Sequence, residues 1–254
     1  VKYSAAYGTW INRYASSDSQ KPKVIIGRDA RISGEMVAQF VVGTLQSLGI
    51  DVVDLGMATT PTVEMAVMFE QANGGIILSA SHNPKHWNAL KLLNGKGEFI
   101  SAADGNIILK LAKDDDFTFS EVTDLGSYRK DDSYLQKHID AILALDLVDV
   151  EAIKKRDFKI VVDGINSVGS FAVPAMLEAL GVQEIVVING EANGHFAHNP
   201  EPLPQNLATV SNAVKREEAD LAFVVDPDVD RLAIVCENGD MFGEEYTLVA
   251  VADY

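Results

Sequence analysis

Two short polar segments of the sequence carry residue types that could do chemistry. The segment Ser79-Ala-Ser-His-Asn-Pro84 directly follows an apolar run at 75–78, and Asp226-Pro-Asp-Val-Asp-Arg231 directly follows another at 221–225. Apolar runs of this length are typical of buried strands. The carboxyl ends of parallel strands are where α/β proteins usually build their sites. We therefore take these two segments as the candidate functional site.

The first segment offers Ser81 as a nucleophile. A serine hydroxyl is weak on its own and needs a neighbouring base or a metal-organised partner. The polar residues that follow Ser81 end at Pro84, which stiffens the turn. The same residue types are also typical of an ordinary turn, in which hydroxyl and amide side chains bond to the local backbone. Residue types alone favour the ordinary turn and leave the nucleophile open.

The second segment predicts a metal site. Its three carboxylates, Asp226, Asp228 and Asp230, alternate along five residues, so in an extended loop they can point the same way. Three massed negative charges are unfavourable unless a cation neutralises them, and oxygen-only ligands suit Mg²⁺. A solvated acidic turn is the simpler alternative.

Two other interpretations of the acidic loop were weighed. An EF-hand would use the same aspartates with Glu237, but Arg231 stands where that loop needs glycine, and predicted strands replace the flanking helices. We reject it for these reasons. An aspartate-nucleophile phosphatase carries Asp-x-Asp after a strand, and Asp226 fits that pattern. The loop alone leaves the phosphatase open, although the phosphatase does not explain the Ser81 segment.

Three cationic residues are further candidates for the site. Lys91 falls in an apolar strand, where it is either a solvent-facing lysine or a general acid or base. Arg28 and Arg31 flank a strand-to-helix turn and either pair with acidic neighbours or bind a phosphate. The histidines lack the spacing of metal ligands, and we expect structural roles for His195 and His198.

Strands and helices alternate along the chain, which predicts mostly parallel sheets covered on both faces. Strands are predicted at 23–27, 51–55, 75–78, 89–93, 159–163, 184–188, 221–225 and 231–236. Helices are predicted at 33–48, 60–71, 133–145, 168–180 and 206–218, with Ser33 and Thr60 as caps, whereas 112–132 is acidic and irregular. The predicted fold class is α/β, with two tandem three-layer α/β/α domains and mostly parallel mixed sheets. They occupy 1–130 and 151–254, and a linker helix at 131–150 joins them.

Composition narrows the function classes. The net charge of the 254 residues is −16, which argues against nucleic acid and anionic membranes as partners. No apolar run approaches the roughly 18–20 residues that span a bilayer. The single cysteine, Cys236, fits a reducing, cytoplasmic setting. The chain begins with valine and stops within a helical pattern, so we expect a fragment.

The sequence resembles the α-D-phosphohexomutases over essentially its whole length. The segments that carry the resemblance are Gly27-Arg-Asp-Ala-Arg-Ile-Ser-Gly34, Thr59-Thr-Pro-Thr62, Ser79-Ala-Ser-His-Asn-Pro84, Asp163-Gly-Ile-Asn166, His198-Asn-Pro-Glu-Pro202 and Asp226-Pro-Asp-Val-Asp-Arg231. The third is similar to the family's phosphoserine loop and the last to its metal loop. Their joint presence in this order is highly specific and reverses the preference for an ordinary turn at Ser81.

The resemblance implies a function and roles for the residues. Ser81 would carry a phosphoryl group, and Mg²⁺ would be bound by the three aspartates and a phosphoryl oxygen on Ser81. Lys91 would move the proton of the sugar hydroxyl, His82 would belong to the catalytic loop, and Arg231 would steady the phosphate charge. The substrate would be a hexose phosphate, interconverted between its 1-phosphate and 6-phosphate through a hexose 1,6-bisphosphate.

The departures from the family pattern concern what the chain does not contain. The family's early Arg-Gly-Thr segment is not found, nor are its sugar-contacting third domain and phosphate-gripping fourth domain. We therefore expect metal binding but little turnover from this chain alone. The apolar helix faces of the first domain allow a homodimer. A non-catalytic module that binds sugar phosphates remains an alternative beside the phosphatase.

Overall fold

The computed structural model describes residues 1–16 and 21–253, and contacts divide the chain into two compact units. The first unit comprises Val1–Arg28, Ser33–Ser79 and Asn88–Tyr134. The second comprises Asp29–Ile32, Ala80–Trp87 and Leu135–Tyr254. Two short early segments thus belong to the second unit. The domain boundaries at residues 130 and 150 stay predictions.

The first unit contains a five-stranded sheet. Its strands are β1 (Lys23–Arg28), β2 (Asp51–Met57), β3 (Gly74–Leu78), β4 (Leu90–Leu93) and β5 (Tyr128–Lys130). Their order is β4-β3-β1-β2-β5, with β4 antiparallel to β3 and the other pairs parallel. The β-branched and leucine residues of β1 to β3 suit a buried pleated surface.

Helices cover both faces of this sheet. They are α1 (Lys2–Trp10), α2 (Gly34–Ser47), α3 (Thr60–Phe69) and α4 (Ala102–Asp114), and a π-helical turn at Ile11–Ala15 follows α1. Val24 and Ile26 of β1 pack into a core cluster with α1, α2 and α4, whereas Ile25 packs with α3. The two clusters lie on opposite faces because successive strand side chains alternate.

The helix caps of the first unit differ in part from the prediction. Thr59, not Thr60, caps α3, and its side chain accepts the backbone N–H of Thr62. Ser33 precedes α2 as expected, but its side chain makes no capping bond. Ser33 already has helical φ and ψ, whereas a side-chain cap needs an extended backbone. Its hydroxyl instead accepts a hydrogen bond from Asn88 Nδ2 at 3.0 Å.

Three elements of the first unit were not predicted. Helix α1 buries every residue from Ser4 to Trp10, so it shows no amphipathic period. Helix α4 reaches Asp114, and the fully exposed strand β5 lies at 128–130. The prediction that 112–132 is irregular was therefore wrong at both ends.

The second unit contains a four-stranded sheet. Its strands are β6 (Lys159–Asp163), β7 (Glu184–Ile188), β8 (Leu221–Val225) and β9 (Leu232–Cys236). Their order is β7-β6-β8-β9, with only β9 antiparallel to its neighbour. The acidic segment is the connection between β8 and β9.

Helices again cover both faces of the sheet. The helices of this part of the chain are α5 (Tyr134–Leu143), α6 (Val150–Arg156), α7 (Gly169–Ala179), α8 (Ala208–Glu217) and α9 (Glu244–Asp253), with a 3₁₀ turn at Pro204–Asn206. Val161 of β6 packs with α8, whereas Ile160 and Val162 pack with α6 and α7. Each unit is thus a three-layer α/β/α arrangement, and the predicted fold class is confirmed. Within 1–16 and 21–253, no helix is long and apolar enough to cross a membrane.

Candidate active site

The acidic loop between β8 and β9 is folded around the carboxylate of Asp226. Asp226 Oδ1 accepts the backbone N–H of Asp230 at 3.1 Å and that of Arg231 at 3.2 Å. The Asp226 carbonyl accepts the N–H of Val229 at 3.1 Å. Val229 has φ of 62°, an uncommon conformation for a β-branched residue. A tight turn therefore returns the chain toward Asp226.

This turn gathers three carboxylates. One oxygen each of Asp226, Asp228 and Asp230 lies within 4.8 Å of the others, with the first two residues buried and the third exposed. Burial, together with the charges of the other two aspartates, raises the pKa of Asp226 to about 7. A hard divalent cation would remove this repulsion, and an all-oxygen donor set fits Mg²⁺.

Ser81 lies against the acidic loop within the second unit. Its Oγ donates a hydrogen bond to Asp226 Oδ2 at 2.7 Å and lies 3.5 Å from Asp230 Oδ1. Ser81 has φ of 49°, in the left-handed region that costs a non-glycine residue free energy. Strain of this kind persists only where surrounding contacts enforce it. The two segments chosen from the sequence thus meet through one side-chain hydrogen bond.

His82 lies beside the Ser81 hydroxyl and shares an acidic neighbour, Glu201, with Arg231. His82 Nδ1 is 3.5 Å from Ser81 Oγ, and its Nε2 is 3.9 Å from Glu201 Oε1. Arg231 Nη1 is 3.7 Å from the same Glu201 oxygen. These separations to Glu201 exceed a direct hydrogen bond, so Glu201 acts on Arg231 through its charge.

Arg31 pairs with an acidic neighbour, which is one of the two roles that the sequence left open. It is buried, forms an ion pair with Asp29, and donates its remaining hydrogen bonds to backbone carbonyls between Ser81 and Trp87. Of the two roles considered for Arg31, pairing with an acidic neighbour is the one observed. The geometry argues against the predicted binding of a substrate phosphate by Arg31.

Arg28 and Lys91 belong to the first unit. Arg28 ends β1 and lines a groove of about 500 Å³ with Tyr128 and Lys130 among its walls. Lys91 is half-buried in β4, opposite Ile77 of β3. The phosphate-binding role of Arg28 and the catalytic role of Lys91 stay predictions.

A buried ion pair orders the long loop after β7. Asp163 at the end of β6 is fully buried, and its Oδ2 lies 2.8 Å from His198 Nε2. His198 Nδ1 faces the Asn199 carbonyl at 2.8 Å. Burial lowers the pKa of His198, but the hydrogen bonds that its ring makes to Asp163 and to the Asn199 carbonyl outweigh burial and raise that pKa overall. This arrangement agrees with a structural role for His198.

The sequence reasoning missed several supporting residues. Asp29 lies inside the first motif, and Glu201 lies inside the motif that begins at His198, so both were quoted without a role. Phe196 lies against the Arg31 guanidinium, and Ser167 bonds to the backbone of Ala30 and Pro227. Nothing in the sequence indicates these contacts. The signal available beforehand was position, since each of the four lies at or beside a quoted motif.

Comparison with known proteins gives consistent matches. The family model described as phosphoglucomutase/phosphomannomutase, alpha/beta/alpha domain I, matches residues 1–119, and that of domain II matches residues 136–239. A phosphoglucomutase/phosphomannomutase of Thermococcus kodakarensis is 38% identical over 100% of this chain and 54% of its own length. A phosphoglucosamine/phosphogalactosamine mutase of Sulfurisphaera tokodaii is 34% identical over 94% of this chain and 51% of its own length.

A solved structure gives the same result. The putative phosphomannomutase of Thermus thermophilus matches 100% of this chain and 56% of its own chain, with a TM-score of 0.86 and 26% identity. The chain spans about half the length of the curated relatives it matches.

Proposed function

We propose that this chain, which belongs to the phosphoglucomutase/phosphomannomutase family, is the part of a hexose phosphate mutase that carries a phosphoryl group on Ser81. The observation that carries the proposal is the 2.7 Å hydrogen bond from Ser81 Oγ to Asp226 within the acidic loop. It brings a nucleophilic oxygen to the one carboxylate cluster found among the described residues.

The proposed reaction interconverts a hexose 1-phosphate and a hexose 6-phosphate. The phosphoryl group on Ser81 moves to the free hydroxyl of the sugar phosphate: the Ser81 O–P bond breaks and the Ser81 oxygen gains a proton, while a new O–P bond forms to the sugar oxygen, which loses its proton. The product is a hexose 1,6-bisphosphate. After the intermediate reorients, its other phosphoryl group returns to Ser81 and the sugar oxygen regains a proton.

The residues of this chain would divide the work. Asp226, Asp228 and Asp230 would hold Mg²⁺, which when bound supplies positive charge to phosphoryl oxygens. Arg231 would add cationic charge at the end of the acidic loop, the Ser81 hydroxyl lies 3.5 Å from His82 Nδ1, and Lys91 would take up and return the sugar hydroxyl proton. Phosphoryl transfer needs mainly positioning and charge neutralisation, and these side-chain types supply both.

The geometry disfavours an aspartate nucleophile. Asp226 is buried and both of its carboxylate oxygens already accept hydrogen bonds, one from Ser81 and the other from two backbone N–H groups. Attack by Asp226 would have to use the oxygen that faces Ser81, because the other oxygen holds the acidic turn through two backbone N–H groups. Ser81 needs only to turn its hydroxyl, so it is the better attacking group.

The substrate class and setting follow from the same proposal. We propose hexose monophosphates as substrates, the cytoplasm as the location and a homodimer as a compatible assembly. Because the chain spans about half of its relatives, we also propose that turnover requires sugar-binding and phosphate-binding parts beyond these 254 residues.

The test is a turnover assay on the intact protein that contains this chain. Conversion of glucose, mannose and glucosamine 1-phosphates to their 6-phosphates is followed with catalytic glucose 1,6-bisphosphate and Mg²⁺. We expect Ser81→Ala to abolish conversion of every accepted sugar, and Ser33→Ala, a serine of the first unit, to retain it. Wild-type rates from Ser81→Ala would refute the proposed function.

A further inference from the structure

We propose that Arg31, held by Asp29, is a positioning residue that sets the reactive conformation of Ser81. The inference rests on the proposed function, because it concerns the serine that would carry the phosphoryl group. It assigns Arg31 to the protein's own backbone and not to the substrate. All the contacts involved lie within the second unit.

Arg31 is bound to the loop that contains Ser81 through four carbonyls. Nη2 donates to Ser81 O at 2.5 Å and to Asn83 O at 2.8 Å. Nη1 donates to Pro84 O at 2.7 Å and to Trp87 O at 3.0 Å. Both terminal nitrogens of the guanidinium are therefore used by one seven-residue stretch of backbone.

The fifth donor and the charge are taken by Asp29. Arg31 Nε donates to Asp29 Oδ2 at 2.9 Å, and the Arg31 backbone N–H donates to Asp29 Oδ1 at 2.9 Å. Both side chains are 0% exposed. A guanidinium has five N–H donors, and all five are engaged, so none is left for a substrate phosphate. Because Asp29 neutralises the charge, the buried cation is tolerated.

The loop needs such a partner for two physical reasons. The carbonyls of this stretch lie outside helix and strand ladders, and the guanidinium supplies four hydrogen bonds to them from one rigid plane. Ser81 also adopts φ of 49°, and the carbonyl held by the shortest of these bonds is its own. Fixing that peptide plane constrains the backbone on the C-terminal side of Ser81 and so the direction of its hydroxyl.

The same segment is also tied to the acidic loop. The Ala30 N–H donates to Ser167 Oγ at 3.2 Å, and Ser167 Oγ donates to the carbonyl of Pro227 at 2.6 Å. On another side the Arg31 guanidinium carbon lies 5.1 Å from the ring centroid of Phe196. Residues 29–31 thus hold both the loop that contains Ser81 and the acidic loop, which explains how the Ser81–Asp226 contact is maintained.

We call Arg31 and Asp29, with the carbonyls that Arg31 binds, the clamp. Residues of similar charge or shape cannot replace either side chain of the clamp. Lysine would keep the charge, but its single nitrogen has three donors and no planar fork, so it cannot reach four carbonyls and Asp29 at once. Asp29→Asn would keep the shape of the partner and remove its charge. We therefore expect Arg31→Lys and Asp29→Asn to share a defect in Ser81 positioning.

The experiment measures phosphorylation of Ser81 in the intact protein that contains this chain. Dephosphorylated protein is mixed with glucose 1,6-bisphosphate and Mg²⁺, and the reaction is quenched and followed by intact mass. For Arg31→Lys we expect the saturated rate to fall about 100-fold, as for a misplaced reacting group. The half-saturating bisphosphate concentration should change little, because Arg31 makes no contact with the bisphosphate in the proposal and its loss removes no binding interaction. An unchanged rate, or a raised half-saturating concentration at an unchanged rate, would overturn the inference.

The control separates positioning from loss of stability. Leu177→Ala removes a buried side chain of α7 that packs in the core cluster with Ile160 and Val162 of β6, and it should destabilise the fold without slowing phosphorylation. If Leu177→Ala slowed the reaction as much as Arg31→Lys at matched stability, Arg31 would be merely structural.

A second measurement distinguishes failure of the inference from failure of the proposed function. Backbone hydrogen exchange in the same protein should be faster at residues 80–87 in Arg31→Lys and unchanged in the β6–β8 core. Failure of the wild type to accept a phosphoryl group, with this exchange difference present, would remove the mutase function and leave the clamp. Unchanged exchange at 80–87 would remove the clamp.

Discussion

At the scale of single residues, the chemistry of the site depends on how Asp226 uses its two carboxylate oxygens. One oxygen organises the acidic turn through two backbone N–H groups, and the other receives the hydroxyl of Ser81. Because Asp228 and Asp230 lie within the same cluster, the negative charge is concentrated in a small volume. Folding of this loop therefore stores repulsion that a bound cation would release.

The repulsion predicts a metal response of this chain. Mg²⁺ that binds only the folded state stabilises it by about 2.7 kcal/mol at one hundred times its Kd, a rise in Tm of roughly 5–10 °C for a protein of this size. We expect Asp228→Asn to lose this response, and its metal-free Tm to equal or exceed that of the wild type because one buried charge is gone. Thermal unfolding with and without Mg²⁺ measures both. The control is Asp146→Asn, at an exposed position, and a Mg²⁺ response of Asp228→Asn equal to that control would contradict the prediction.

The His198–Asp163 pair predicts a pH dependence of stability. Its hydrogen bonds raise the pKa of His198 above the ordinary value of about 6.5. The pair's stabilisation is therefore fully present below about 6.5 and is lost as pH rises through the raised folded pKa. Urea unfolding of the wild type and His198→Gln should show a free-energy difference at pH 6 that shrinks by pH 9. The exposed His195→Gln serves as control, and a difference that grows with pH would show the opposite sign.

At the scale of secondary-structure elements, short strands position the loops of the site. Capping residues determine where the helices begin. Strand β8 ends one residue before Asp226, and its parallel pairing with β6 brings the acidic loop beside Asp163 at the carboxyl edge of the sheet. In the first unit, Thr59 and Ser33 precede helices in the same way, but only Thr59 satisfies an otherwise unbonded N–H.

This difference between the two caps predicts unequal costs of truncation. Thr59→Ala should destabilise the protein by about 1 kcal/mol because the N–H of Thr62 loses its acceptor. Ser33→Ala should cost less than about 0.5 kcal/mol, the usual range for a position without such a role. Denaturant unfolding of the two variants checks the order, and a larger loss from Ser33→Ala would contradict the observed geometry.

The elements that the sequence predicts have a visible pattern of apolar residues, whereas the elements it missed have none. Strands such as β6 and β8 are continuous apolar runs ended by turn residues, so their pattern is visible. Helix α1 is buried on every side from Ser4 to Trp10, and every residue of strand β5 is exposed. Neither element therefore has a polar and an apolar face that periodicity can detect. The same holds at the site. The aspartates are visible by their spacing, whereas the clamp role of Arg31 depends on carbonyls that have no signature in a sequence.

At the scale of the whole molecule, the chain repeats one architecture twice, and the candidate site belongs to the second unit. The net charge of the chain, −16, disfavours binding of anionic sugar phosphates except where cations are concentrated, and Arg231 directly follows the aspartates of the acidic loop. The family assignment covers both units, while the chain reaches about half the length of its relatives. Carrying the phosphoryl group is thus the function we propose for this chain, and we propose that selection of the sugar needs parts beyond it.

The most direct test of the central claim is to locate the phosphoryl group. The intact protein is incubated with glucose 1,6-bisphosphate and Mg²⁺, digested, and mapped by peptide mass spectrometry, with Ser81→Ala treated in parallel. We predict one acid-stable phosphate ester on the peptide containing Ser81, and none on the variant. A hydroxylamine-labile phosphate on the peptide containing Asp226, or no phosphate with full turnover of Ser81→Ala, would contradict the account.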